Sequence, residues 1–151
     1  MKTQTKYFGE IEYDQDDIVT FPVGMFGFED EHEFLLIPFE GSCDTLLSLQ
    51  SLQTPSLSFT VVTPFSLAPD YFPELQPSEL KALGVSESGE LGYYVLCAVK
   101  NPIADSTVNL KCPIAINVET RIARQVILET DRYEMRHLLS QFGGGKGAAS
   151  C

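Results

Sequence analysis

The segment Ser106–Val118, STVNLKCPIAINV, constrains the fold more than any other stretch of this chain. Val108, Leu110 and Cys112 fall on one side of an extended backbone, and Thr107, Asn109 and Lys111 on the other. Beyond Pro113, Ile114, Ile116 and Val118 alternate with Ala115, Asn117 and Glu119. A period of two is the strand repeat, so this reads as two strands meeting at a proline, each with one buried and one wet face. Such a pattern predicts an antiparallel, all-β protein.

Further strand-like runs recur at short spacing. They cover residues 7–13, Ile18–Pro22, Glu33–Phe39, Thr45–Leu52, Leu57–Thr63, Leu91–Lys100 and Ile122–Glu129. Turn-forming residues separate most of them: Pro22 to Gly24, Glu40-Gly41-Ser42, Thr54-Pro55, Ser88-Gly89-Glu90 and Asn101-Pro102. About eight or nine short strands with this punctuation predict a barrel or sandwich. Closure into a barrel would remove exposed sheet edges. Two helices are expected besides. Pro77 and Gly84 bracket the first, over Pro77–Leu83. Asp131 and Glu134 have capping-box spacing for the second, and Met135, Leu138, Leu139 and Phe142 form a stripe ended by Gly143. That helix is expected to plug one barrel end. The predicted architecture is a mainly antiparallel, small β-barrel-like single domain with two short helices over residues 1–142. A flexible glycine-rich tail, residues 143–151, follows.

At 151 residues and 44% hydrophobic content, one domain can bury a core without staples. No apolar run approaches the ~20 residues of a membrane span, and no membrane contact is expected. The N-terminus lacks an apolar signal core, which predicts a cytoplasmic protein. Cys43, Cys97, Cys112 and Cys151 make no Cys-x-x-Cys pair, and their spacing to His32 and His137 does not suggest zinc. Cys97 and Cys112 sit in strand patterns and are expected to be small buried apolar groups. The net charge of −11 is uneven. Residues 1–40 hold ten acids against Lys2 and Lys6, a balance of −8, and the rest has eleven acids against eight bases. This repels nucleic acid, which needs a basic surface. It suits either a solvated face or a basic protein partner.

Catalytic signatures are missing: no phosphate-binding glycine loop, no His-Glu-x-x-His and no Gly-x-Ser-x-Gly. The expected protein is not an enzyme and carries no cofactor. Asp14, Asp16 and Asp17 lie at a turn without the ordered spacing of a calcium loop. The run Phe21-Pro22-Val23-Gly24-Met25-Phe26-Gly27-Phe28-Glu29 packs four large apolar residues into a short loop, too many to all face inward. Either some form a surface patch, or Phe21 and Phe28 anchor the core while the glycines shape the turn. Further on, Leu57, Phe59 and Val61 read as core, with Pro64 and Phe65 exposed at the exit.

Three segments, in order, resemble the FliW family of flagellar assembly factors. They are Phe21-Pro22-x-Gly24-x-x-Gly27-Phe28-Glu29; Leu49-Gln50-Ser51 leading to Phe59-x-Val61-x-x-Pro64; and Thr107-Val108-Asn109-Leu110-x-x-Pro113-Ile114-x-Ile116-Asn117 leading to Gln125-Val126-Ile127-Leu128. Gln53-Thr54-Pro55 departs from the acidic or asparagine turn usual there. The resemblance implies a non-enzymatic regulator that antagonises the RNA-binding translational repressor CsrA and binds flagellin in a partner switch. Chemistry, rather than the resemblance, nominates the partner-binding residues. Asp14, Asp16 and Asp17 would supply a field against a basic partner. Phe26, Phe28, Glu29, Pro64 and Phe65 would supply contact, with Phe26, Phe28 and Phe65 as an apolar groove for flagellin. The rival readings are a small-ligand-binding β-barrel and a nucleic-acid-binding barrel, the latter opposed by the charge.

Overall fold

A computed structural model describes residues 1–39, 46–100 and 105–138. The chain opens with a hairpin, β1 (Lys2–Thr5) and β2 (Gly9–Glu12). The main sheet then collects β3 (Val19–Thr20), β4 (Glu33–Pro38), β5 (Leu46–Ser51), β6 (Ser58–Val62), β7 (Gly92–Ala98), β8 (Thr107–Val108), β9 (Ile114–Ile116), β10 (Ala123–Gln125) and β11 (His137–Leu138). Its order is β10-β9-β7-β6-β5-β4-β3, with β8 and β11 attached beside β7. Every strand pair is antiparallel. Strands β8 and β9 lie end to end along one edge of β7, as the two strands expected around Pro113. Between them the Asn109 side-chain oxygen accepts the backbone N–H groups of Lys111 and Cys112. This Asx turn ends the first strand sooner than the alternation suggests.

The sheet separates two apolar cores. Along β7, Tyr93, Val95 and Cys97 join one, while Tyr94 and Leu96 face the other. Along β9, Ala115 joins the first and Ile114 and Ile116 the second. This strand is therefore buried on both faces, which corrects the expected wet face and explains its nearly continuous apolar run. Val118, expected inside, is exposed just past its end. Helices α1 (Pro64–Leu67) and α2 (Pro77–Leu83) cover the first core through Leu67 and Leu83. Pro77 stands in the first helical turn and Gly84 ends α2 at φ 74°, as the sequence predicts.

The expected helix from Asp131 does not form over residues 131–138. Tyr133 instead docks on Tyr71 at 4.6 Å between ring centroids, and His137–Leu138 become β11 on the open edge of β8. Edge pairing satisfies this backbone in place of helical bonds, and Met135 and Leu138 are left exposed. Leu139, Phe142 and the glycine-rich tail lie outside the described residues, as do Cys43, Cys151 and the turns at 40–42 and 101–102. The second short helix is α1. The sheet does curl: Thr20 forms one parallel bridge to Ile122, and its N–H donates to the Arg121 carbonyl at 2.9 Å. One bridge is not a ladder, so the fold is a curled, mostly antiparallel sheet with few helices rather than a closed barrel among the described residues.

The first core holds a tyrosine cluster. Tyr71 donates its hydroxyl to the Leu110 carbonyl at 2.7 Å, and Tyr93 to Ser88 at 2.7 Å. Burial pushes the Tyr93 phenol up to about 12 and raises that of Tyr71 further, helped by Tyr133 and Tyr93. A raised phenol favours the neutral form in the folded state. Stability is then intact below pH ~10, where the unfolded phenol starts to ionise, and is lost as pH rises toward 12. Thermal melts from pH 8 to 11.5 should show a falling midpoint from about pH 10, and Tyr71→Phe should soften that fall. Cys97 and Cys112 are buried free thiols, as expected, and burial pushes Cys97 up to about 11.

Candidate partner-binding surface

Strand β3 runs directly into the loop that carries Phe26 and Phe28, two of the four nominated apolar residues. Phe21 and Met25 point inward and are buried, whereas Phe26 is 50% and Phe28 40% exposed. Both sequence readings of this loop thus hold in part: Phe21 anchors, and Phe28 is shared between surface and core. Phe28 meets Phe59 edge-on at 5.1 Å. The loop's base is closed by Phe21 N–H donating to the His32 carbonyl at 2.7 Å. Its tip is a tight hairpin, with Met25 and Phe28 exchanging backbone bonds of 3.3 and 2.8 Å around Phe26-Gly27. The Glu29 carboxylate accepts the Gly27 N–H at 2.8 Å, so Glu29 shapes the tip. From across the sheet, the buried Gln125 accepts the Phe26 N–H at 3.0 Å. Nothing in the sequence marks this contact, because Gln125 lies 99 positions away.

At the exit of β6, Pro64 is buried as the first residue of α1, which corrects its expected exposure. Proline suits that position because it lacks the N–H a helix start leaves unpaired. Phe65 is 42% exposed and packs on Tyr71 at 5.9 Å and Tyr93 at 6.2 Å. The nominated rings are therefore divided. Phe28 rests on Phe59 beside the second core, and Phe65 rests on the first, across the sheet. They do not line one groove. On the Phe65 side, sequence reasoning missed the exposed Phe72, next to a cleft of about 210 Å³ that Leu128, Tyr133 and Glu129 also line.

Asp14, Asp16 and Asp17 are all exposed around a 3-10 turn over Gln15–Asp17. The Asp17 carboxylate accepts the Asp14 N–H at 2.9 Å. Asp16 lines a groove of about 390 Å³ together with Glu33, Glu119 and Arg121. The acidity is broader than an N-terminal stretch. Residues 7–80 hold fourteen Asp and Glu with no Lys or Arg, and the remainder holds seven acids and ten bases. Strands β2 to β6 thus belong to a segment of charge −14, while β7 to β11 belong to one that is mildly positive. This sequence signal was available and spans the whole meander. Among the described residues, no three His, Cys, Asp or Glu side chains are placed to share a metal ion, and no helix is long and apolar enough to cross a membrane.

Exposed aromatic tips beside a predominantly acidic surface are features of a protein-binding surface. Comparison with known proteins places the chain more narrowly. The profile of the FliW protein family matches residues 2–139. A relative from Geobacillus sp. (strain WCH70), named flagellar assembly factor FliW, is 41% identical over 92% of this chain and 95% of its own length. A same-named relative from Shouchella clausii is 34% identical over 96% and 99%. A crystal structure of the flagellar assembly factor FliW superposes with TM-score 0.85 and 39% identity, covering 92% of this chain and 96% of that one. The chain belongs to the FliW family.

Proposed function

We propose that this protein is a non-enzymatic, cytoplasmic flagellar assembly factor that switches between two protein partners. One is CsrA, a basic RNA-binding translational regulator, which it antagonises. The other is unassembled flagellin, which occupies the factor and so frees CsrA to repress flagellin translation. The uninterrupted acidity of residues 7–80 carries this reading. A basic RNA-binding surface attracts such a face, and the bound acidic face repels phosphates within a Debye length of about 10 Å. Flagellin segments that remain unfolded before assembly need apolar contact. Phe65 and Phe72, on the first-core face, offer it.

The test is size-exclusion chromatography with calorimetry against purified CsrA, repeated with flagellin added. Binding that flagellin reverses supports the switch. No binding to either protein overturns it. In an RNA-displacement assay on CsrA, replacing Asp14, Asp16 and Asp17 together by Asn should weaken displacement and flatten its salt dependence. Asn keeps an acceptor at position 17 for the Asp14 N–H, so the turn should survive. Identical displacement curves at low and high salt would remove these three acids from the mechanism.

A further inference from the structure

Two features already described share a base. The Phe26 loop is closed at its root by Phe21 and His32, and the next pair in the ladder is Thr20 with Glu33. Thr20 and Glu33 also line the groove with Asp16, Glu119 and Arg121, a lining of three acids against one base. The apolar tip therefore rises directly from the rim of that groove. Val23, Phe26 and Phe28 are all exposed on it. The loop is pre-shaped for contact. Met25 is buried beneath it, Gln125 and Glu29 fix its backbone N–H groups, and a Cβ on Gly24 would sit 2.6 Å from the backbone of Glu29. A tip held this way loses little conformational entropy on docking. Aromatic anchors in a desolvated centre with charges at the rim are the usual energetic layout of an interface.

We infer that the Val23–Phe28 tip and the acidic groove at its root form one docking surface for a folded basic protein carrying an apolar pocket rimmed by Lys or Arg. The tip is the anchor and the groove is the steering field. The inference rests on the functional reading above and assigns CsrA to this face, separate from the Phe65–Phe72 face. Charge complementarity selects this occupant: Glu29, Asp30, Glu31 and Glu33 follow the tip within a segment, residues 7–80, that has no Lys or Arg, and in the groove Asp16, Glu33 and Glu119 outnumber Arg121.

The two roles predict different kinetics, because rim charges act on association and anchors on dissociation. Binding of the full chain to immobilised CsrA would be followed by surface plasmon resonance at 50 and 500 mM NaCl. Phe26→Ser should raise the dissociation rate by about tenfold or more and leave association within about twofold. Asp16→Asn with Glu119→Gln should slow association at 50 mM and have no effect at 500 mM. Met135→Ser, exposed and distant in sequence, serves as the control and should change neither rate. Val23→Ser, outside the loop's hydrogen bonds, provides the same reading should Phe26→Ser fail to fold. Unchanged dissociation in both tip variants, with the wild-type chain bound normally, overturns this assignment while leaving the partner switch standing. A wild-type chain that does not bind CsrA overturns the functional reading and the assignment together.

Discussion

Gly24→Ala is expected to be among the most damaging single substitutions in this protein, costing about 2 to 5 kcal/mol. Two causes add. Gly24 has φ 73°, where an L side chain is strained, and the new Cβ would lie 2.6 Å from backbone atoms of Glu29. Backbone cannot swing aside as a flexible side-chain end can, so the turn itself must open. Opening it would disturb buried Met25 and the Gly24 N–H bond to the Phe21 carbonyl at 3.0 Å. Gly27→Ala separates the causes. Its φ is 84°, but nothing lies within 4 Å of an added Cβ. That variant should lose only about 1 kcal/mol. Chemical denaturation of both variants measures the difference. Equal losses would mean that the close approach to Glu29 is relieved at no cost.

The second large effect is expected at Gln50, buried on β5. The two hydrogens of its amide nitrogen are shared among the carbonyls of Ser51, Pro55 and Leu57, at 3.0, 2.9 and 3.1 Å. Its amide oxygen accepts the Lys6 N–H at 2.9 Å. One side chain thus ties the turn between β5 and β6 to the end of the N-terminal hairpin. Gln50→Leu keeps the volume and removes this partner from each of them, although the Leu57 carbonyl keeps the Ser51 N–H at 3.0 Å. At about 1 to 3 kcal/mol for each buried group left unpaired, a loss of roughly 3 kcal/mol or more is expected even if some reach water. Gln53→Leu is the comparison. Gln53 also bonds backbone, to the His32 N–H and the Asp30 carbonyl, but it is exposed. Water can replace it there, so its loss should stay near 1 kcal/mol. Urea titration of the pair tests this, with hydrogen exchange at the Lys6 amide as the local reporter. Similar midpoints for the two variants would show that Gln50 does not organise the turn.

Much of the sheet is legible in local chemistry. The runs at 33–39, 45–52, 57–63 and 91–100 became β4, β5, β6 and β7 because their strand-forming residues are bounded by turns. Helix α2 was legible for a related reason: Pro77 and Gly84 each have one comfortable place in a helix. The region after Asp131 was not. Its spacing fits a helix, but the outcome was set by the free edge of β8 and the ring of Tyr71, neither of which is local. Strand β1 escaped notice because Lys2–Thr5 is polar and gains its register only from β2. At the candidate surface, composition pointed to Phe26 and Phe28. It could not show that Phe65 sits across the sheet from them, nor that Pro64 is spent on starting a helix. The Gln125 contact joins positions too far apart for any pattern to report.

Strand β7 is a party wall. Tyr93, Val95 and Cys97 furnish one room, and Tyr94 and Leu96 the other. Close-packed interiors transmit displacement rather than absorb it. Phe65 leans on Tyr93, and the next residue, Tyr94, packs with the core that holds Met25 beneath the Phe26 loop, so one stretch of backbone borders both faces. A substitution that shifts β7 from one side moves the wall of the other.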